Sequence, residues 1–300
     1  MTTDSPVWLN GSLLPKSAAM VDPSSQGFLC GMGVYDSLLL LHGVPVAFER
    51  HLCRLADGAG RLQLPPPDST VIREAVEALA QALGLTNGRV RITLAAGPSD
   101  TVNPGLARGN MTLVTLVPLT PVKPAAALTL TPFRRNEHSP LAGIKYTACA
   151  ENFLAQRASL AGGFDEALFL NTSGNVCEGA FSNVFIVAGN RILTPSLASG
   201  CLPGVTREIV LELCAQHGIP AGEMTLPAPA TGEADEIFLT SSIRGIQPVS
   251  RLDVRPFPAP GELVCKLMAH YEQFLVSNHP PDTAAGMRTR VRGEWPVLPK

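Results

Sequence analysis

Residues 31–67, GMGVYDSLLLLHGVPVAFERHLCRLADGAGRLQLPPP, carry in succession the two signals that set the class of fold. Leu38 to Phe48 is an apolar run turned at His42-Gly43, the pattern of a β-hairpin. From Glu49 to Leu64 the apolar residues fall at 52, 55, 59 and 62, which is a helical period. Pro65-Pro66-Pro67 ends that helix, because proline lacks the amide donor and clashes with the preceding turn. Gly31 and Gly33 precede a strand and do not open a helix, so they predict a tight turn and not a dinucleotide-binding loop.

Outward from this stretch the same mixture continues. VWLNGSLL (7–14) is a second hairpin, turned at Asn10-Gly11. Ser69 to Leu83 reads as a helix with Gly84 just past its end, and 89–97 and 110–119 read as strands. Together these predict a small α+β domain over residues 1–118. Pro118, Pro121, Pro124 and Pro132 have fixed φ and no donor, so residues 119–132 are expected to be an extended connector between domains and not a central strand. A larger domain is expected over 133–277. It would hold a helix over Thr147–Leu160, strands at 166–172, 182–189, Arg191–Thr194 and 236–242, and helices at 204–218 and Leu263–Leu275. Residues 278–300, rich in proline and arginine, read as a loose tail. Strands and helices do not alternate regularly enough for a barrel or a doubly wound sheet, so the class is α+β.

Composition narrows the function. The 300 residues have 23 Lys plus Arg against 25 Asp plus Glu, a formal charge of -2. No strong field therefore draws the chain to nucleic acid or to an acidic membrane, and its partner is expected to be a small molecule in a pocket. Charged residues are 16%, below the roughly 25% usual for soluble domains, and 45% are hydrophobic, which points to extensive burial and an interface between subunits. The seven cysteines are scattered without a CxxC pair and read as small core residues of a cytoplasmic protein, neither disulfides nor a zinc cluster. MTTDSPVWLNG lacks the basic start and apolar run of a signal peptide, and no apolar stretch is long enough to span a bilayer.

Three features could carry chemistry. Lys145, in GIKYTACAEN, stands just before a helix in small, apolar surroundings. It is either a surface lysine or one whose lowered proton affinity supplies a neutral amine for a Schiff base. Glu178, in NVCEGAFSNVF, is either an edge charge or the partner of a buried cation. Arg54, the helix start at Gly204, Val205 and Thr206, and Ser241 with Ser242 together make a scattered set of anion donors; separately they are a surface arginine and caps. GxGxxG after a strand, GxxxxGK[ST], HExxH and GxSxG are all absent, and no metal ligand set is expected.

These segments, in this order, resemble the fold-type IV pyridoxal-phosphate enzymes, which include branched-chain and D-amino-acid aminotransferases and 4-amino-4-deoxychorismate lyases. The resemblance covers about residues 7–275. GMGVYDSLLLLHGVPVAFERHLCRL resembles the N-terminal signature, whose arginine, here Arg54, grips the cofactor phosphate. IKYTACAENFLA resembles the lysine segment, making Lys145 the catalytic Schiff-base lysine. NTSGNVCEGAFSNVFIV resembles the strands that set Glu178 against the pyridine nitrogen. LPGVTREIVLEL and IFLTSSIRGIQPVSRLD resemble the phosphate-binding segments, implying cofactor contacts from Val205, Thr206, Ser241 and Ser242. The resemblance implies a small N-terminal α/β domain, a larger domain with a barrel-like β core, pyridoxal 5'-phosphate as cofactor, and an amine or amino acid as substrate. It also implies a cytoplasmic homodimer whose pockets borrow loops from the neighbour, with residues 97–109 as a pocket-edge loop. Tyr35 is either a pocket residue orienting the substrate carboxylate or lysine, or a core tyrosine. Arg244 is either a contact for a substrate carboxylate or a solvated loop residue.

Two departures bear on the reaction. Relatives commonly have tyrosine four residues after the lysine, where this chain has Cys149, which puts the usual phenol hydrogen bonding in doubt. Branched-chain enzymes usually read EGSGEN where this chain reads EGAFSN (178–183), closer to the lyase and D-amino-acid branches. The expected activity is thus 4-amino-4-deoxychorismate lyase, which would serve folate biosynthesis. The alternatives are an aminotransferase of D-amino or branched-chain amino acids, and a non-catalytic protein of the same fold.

Overall fold

A computed structural model of the protein describes residues 4–99 and 109–278. Two compact units form, one from the chain up to Thr120 joined by Ile144–Ala148, the other from Pro121–Gly143 and the chain from Cys149 onward.

In the first unit, β1 (Pro6–Leu9), β2 (Ser12–Pro15), β3 (Gly33–Leu41), β4 (Val44–Pro45), β5 (Gly88–Ala96) and β6 (Asn110–Val117) form one antiparallel sheet. Its order is β2-β1-β6-β5-β3-β4. Both hairpins turn where the sequence predicts, with Asn10 and His42 at φ 47° and 51° followed by Gly11 and Gly43 at 91° and 79°. Positive φ at both central residues matches the strands' own twist. A short turn of helix, α1 (Gln26–Leu29), precedes β3, and α2 (Phe48–Arg61) and α3 (Ser69–Leu83) cover the sheet. Asp68 caps α3 by accepting from the amides of Thr70 and Val71, and Gly84 ends it at φ 62°.

The lysine segment joins this unit and not the 133–277 domain expected for it. Tyr35 donates its amide to the Lys145 carbonyl at 2.9 Å, and Thr147 donates to the Gly33 carbonyl at 2.8 Å. Gly31 shows why glycine stands at this turn: its φ is +67°, and a Cβ there would lie 2.5 Å from the Cβ of Ala148.

In the second unit, the elements are β7 (Ala126–Arg135), α4 (Ala150–Ala161), β8 (Glu166–Asn171), β9 (Val176–Gly179), β10 (Asn183–Ala188), β11 (Arg191–Pro195), α5 (Val205–Gln216), β12 (Ala221–Met224), α6 (Ala230–Glu233), β13 (Glu236–Ser241), β14 (Gly245–Leu252), β15 (Arg255–Pro256) and α7 (Glu262–Asn278). One sheet runs β12-β11-β10-β13-β14-β7-β8-β9, with β15 on β14. The end strand β9 also touches β10 and β11, so the sheet curls on itself around a core of Leu128, Leu168, Val184, Ile237, Leu239 and Val249.

The connector expected over 119–132 is corrected here. Residues from Ala126 onward form β7, a central strand paired in parallel with both β14 and β8. Pro118, Pro121 and Pro124 precede it. Pro132 lies inside it, in the register shift between Leu130 and Arg134, where a missing amide breaks no ladder bond. β9, β12 and β14 also escape the sequence reading; β9 and β12 are only four residues each, too short for a period to show. Cys177, Cys201 and Cys214 are buried, whereas Cys30, Cys53 and Cys265 are exposed, so the reading of all seven as core residues is corrected for these three. The pocket-edge loop expected at 97–109 and the tail at 278–300 fall almost wholly outside the described residues.

No helix among the described residues is long and apolar enough to cross a membrane.

Candidate functional site

In the first unit, Lys145 is half-buried and its Nζ lies 4.7 Å from the centre of the Tyr35 ring. The guanidinium of Arg91, on β5, lies 3.7 Å from the same ring. Two cations therefore share one aromatic π face system, and Tyr35 does more than fill the core. Arg91 was not legible in the sequence, because a lone arginine in the alternating strand RVRITL reads as a solvent-facing residue.

Arg54 sits on α2 against β3. Its Nε donates to Asp36 Oδ2 at 2.9 Å and its Nη2 to Oδ1 at 2.7 Å, while His51 Nδ1 lies 2.8 Å from Oδ1. Asp36 is fully buried and His51 is 1% exposed. Burial alone would raise the Asp36 carboxyl, but the Arg54 guanidinium and the bond from His51 outweigh it and hold the group well below the usual carboxylate range. The sequence reading also passed over this acid, although an aspartate on the core side of an apolar strand is itself a signal.

In the second unit, Glu178 lies in β9. Its Oε1 is 3.1 Å from Arg135 Nε, and its Oε2 accepts from the Leu202 amide at 2.9 Å. Arg135, at the end of β7, is thus a cation it meets within the protein; its guanidinium also pairs with Glu151 and lies over the Phe169 ring at 4.5 Å. The strand that the connector reading missed is the one that delivers this arginine. Burial pushes the neighbouring thiols up, Cys201 to about 11 and Cys177 further, and the charge of Glu178 adds to both, so they stay protonated.

Two of the phosphate donors expected in this unit, Val205 and Thr206, open α5. Val205 and Thr206 are 4% and 3% exposed, and no side chain caps that helix, which leaves its first amides to serve an anion. Gly204 before them has no room for a side chain: a Cβ would lie 1.9 Å from Asn183 Oδ1. Asn183 in turn donates to the Leu202 carbonyl at 2.8 Å, fixing the loop that enters the helix. β13, which ends at Ser241, packs against α5, and Ser242 follows, half-buried. Arg244, expected to meet a substrate carboxylate or solvent, instead meets Glu166: its Nη1 is 2.6 Å from Oε2 of that buried acid. Glu166 Oε1 accepts from the Phe181 amide at 2.8 Å and from Ser182 Oγ at 2.7 Å. Arg244 therefore ties the loop after β13 to the turn of EGAFSN. Cys149 is the residue before α4 and caps it with no side-chain hydrogen bond.

The chemistry of this donor set suits one kind of group. In the first unit, an oriented guanidinium suits a phosphate oxygen and a primary amine beside an aromatic ring suits an aldehyde; in the second, a helix start with a glycine cradle suits a phosphate and a carboxylate paired with arginine suits a cationic ring nitrogen. Pyridoxal 5'-phosphate carries all three.

Comparison with known proteins agrees. The chain is 41% identical over 114 residues to the probable branched-chain-amino-acid aminotransferase of Thermotoga maritima, a match spanning 37% of this chain and 42% of that one. It is 31% identical over 261 residues to the aminodeoxychorismate lyase of Bacillus subtilis, covering 82% of this chain and 86% of the relative. A crystal structure from Legionella pneumophila, provisionally named 4-amino-4-deoxychorismate lyase, superposes with a TM-score of 0.81 at 28% identity, covering 86% of this chain and 96% of that one. The family pattern for amino-transferase class IV matches residues 33–252, a stretch that holds the lysine, the glutamate and the whole anion set. With its curled sheet and these motifs in order, the chain belongs to the class IV aminotransferases, a family of pyridoxal 5'-phosphate enzymes that act as transaminases or lyases.

Proposed function

We propose that the protein is a 4-amino-4-deoxychorismate lyase, converting that amine to 4-aminobenzoate and pyruvate. The observation that carries this reading is the similarity to the Bacillus lyase over most of both chains. The turn Phe181-Ser182 supports it: Ser182 is engaged by Glu166, where a branched-chain enzyme would carry glycine and glutamate.

The cofactor supplies, when bound, a sink for the electrons left on the substrate carbon that loses its proton. Lys145 Nζ would hold the cofactor aldehyde and, when free, would take the proton from the amine-bearing carbon of the substrate. The same nitrogen then returns a proton to the departing enolpyruvyl group, so that pyruvate leaves and the ring becomes aromatic. Arg91 and Lys145 both lie within 5 Å of the Tyr35 ring centre, at 3.7 and 4.7 Å, so the ring helps to orient the lysine. Glu178 would pair with the protonated ring nitrogen, its carboxylate oriented by Arg135 and the Leu202 amide. Arg54, Thr206, the start of α5, Ser241 and Ser242 hold the phosphate.

The test is a side-by-side assay of pyruvate release from 4-amino-4-deoxychorismate and amino transfer from D-alanine, L-glutamate and L-leucine. Pyruvate release well above every transfer is expected. Transfer from L-leucine alone would favour the branched-chain reading, which the Thermotoga match supports over the part of the chain it covers. Loss of the yellow cofactor absorbance in Lys145→Ala would establish the lysine, and a wild-type protein with no such band would remove the assignment.

A further inference from the structure

Asp36 stands in β3, in the run Val34-Tyr35-Asp36-Ser37-Leu38, on the side that faces α2, and it is completely buried among apolar residues. His51 and Arg54 are three residues apart on α2 and so share one helix face. They reach the same carboxylate, Arg54 through two parallel bonds and His51 through Oδ1. A buried ion pair is weak support for stability, since taking both charges out of water offsets most of their attraction. A bidentate pair does something an apolar contact cannot: it fixes the plane and rotation of the guanidinium. Arg54 is the most accessible member of the three, with its side chain 10% exposed against 0% for Asp36 and 2% for His51. The other ion pair on this helix, Glu49 with Arg73, is exposed on both sides and has no such backing.

We infer that Asp36, with His51 behind it, is the positioning residue that presents Arg54 to the cofactor phosphate. This rests on the phosphate role proposed for Arg54. The buried carboxylate restrains the guanidinium before the ligand arrives, so the entropy of ordering that long side chain is not charged against phosphate binding.

The experiment uses the full-length protein stripped of cofactor and titrated separately with pyridoxal 5'-phosphate and with pyridoxal, which lacks the phosphate. The readout is the ratio of the two dissociation constants. Arg54→Ala is expected to weaken the phosphorylated ligand about 100-fold and pyridoxal less than about twofold. Asp36→Asn is expected to weaken the phosphorylated ligand about tenfold with pyridoxal again little changed, and the double variant to be no worse than Arg54→Ala alone. If Arg54→Ala leaves the ratio unchanged, the phosphate role of Arg54 falls and the inference with it. If Arg54→Ala shifts the ratio and Asp36→Asn does not, or if Asp36→Asn weakens both ligands equally, Asp36 is a structural residue only and the inference alone is overturned. Should Asp36→Asn not fold, Asp36→Glu keeps the charge and displaces it by one methylene; a rise in the dissociation constant for the phosphorylated ligand relative to that for pyridoxal supports the inference, and an unchanged ratio overturns it.

Discussion

Asp36 and Glu178 are both strand carboxylates paired with arginine, yet they are built differently. Asp36 is sealed, and its carboxylate meets two side chains of one adjoining helix and the amide of Ser37 beside it in the strand. Glu178 keeps 12% of its side chain exposed and takes one donor from Arg135 and one from the backbone of Leu202. A sealed carboxylate can orient another residue but cannot meet a ligand; a partly open one held by a backbone amide can do so without moving. On the roles proposed above, the first unit would supply an orienting acid and the second one poised for contact.

If this contrast holds, removing each acid has a different consequence. The largest effect is expected at Glu178→Ala, which should retain cofactor but lose turnover by about 10²- to 10³-fold. Steady-state kcat checks this, and turnover within a few-fold of wild type would reject its role at the ring nitrogen.

Asp36→Ala should appear first in stability, lowering it by about 3–5 kcal/mol in urea denaturation because Arg54 and His51 lose a buried partner. The pH dependence sharpens the point. Since the folded carboxyl is held below its unfolded value of about 3.9, its contribution is complete above that pH and is lost as pH falls toward the folded value. The stability gap between wild type and Asp36→Asn should therefore be widest near neutrality and narrow below about pH 4. A gap independent of pH would mean that Asp36 is not ionised in the fold.

Gly204→Ala would force a methyl into the space taken by Asn183 Oδ1, and about 1–3 kcal/mol of destabilisation is expected by thermal unfolding. An unchanged melting temperature would show that the entry to α5 yields easily. The smallest effect is expected at Ser242→Ala, about a fivefold loss of cofactor affinity, since neighbouring amides share the phosphate charge. Complete loss of cofactor would show that they do not.

Much of this architecture was legible from residue order. The turns at Asn10-Gly11 and His42-Gly43, the helix over Ser69–Leu83 and its stop at Gly84 follow from local chemistry, and the structure reproduces them. β7 was not legible, because four prolines in fifteen residues describe a connector unless the register shift that accommodates Pro132 is already known. Lys145, Glu178 and Arg54 stood out through their motifs. Their partners Arg91, Arg135 and Asp36 did not, since nothing in a strand's own sequence tells which neighbour it will lie beside.

Residue order alone determined the elements, the ordered motifs and the family, because period, turn chemistry and helix caps depend on contacts a few residues apart. Tertiary structure decided which charge each functional residue meets: Arg135 reaches Glu178 and Arg244 reaches Glu166 across long spans of chain. The physical reason is that a buried charge is tolerable only beside a partner of opposite sign, and strand pairing and sheet curl choose that partner after the local elements have formed.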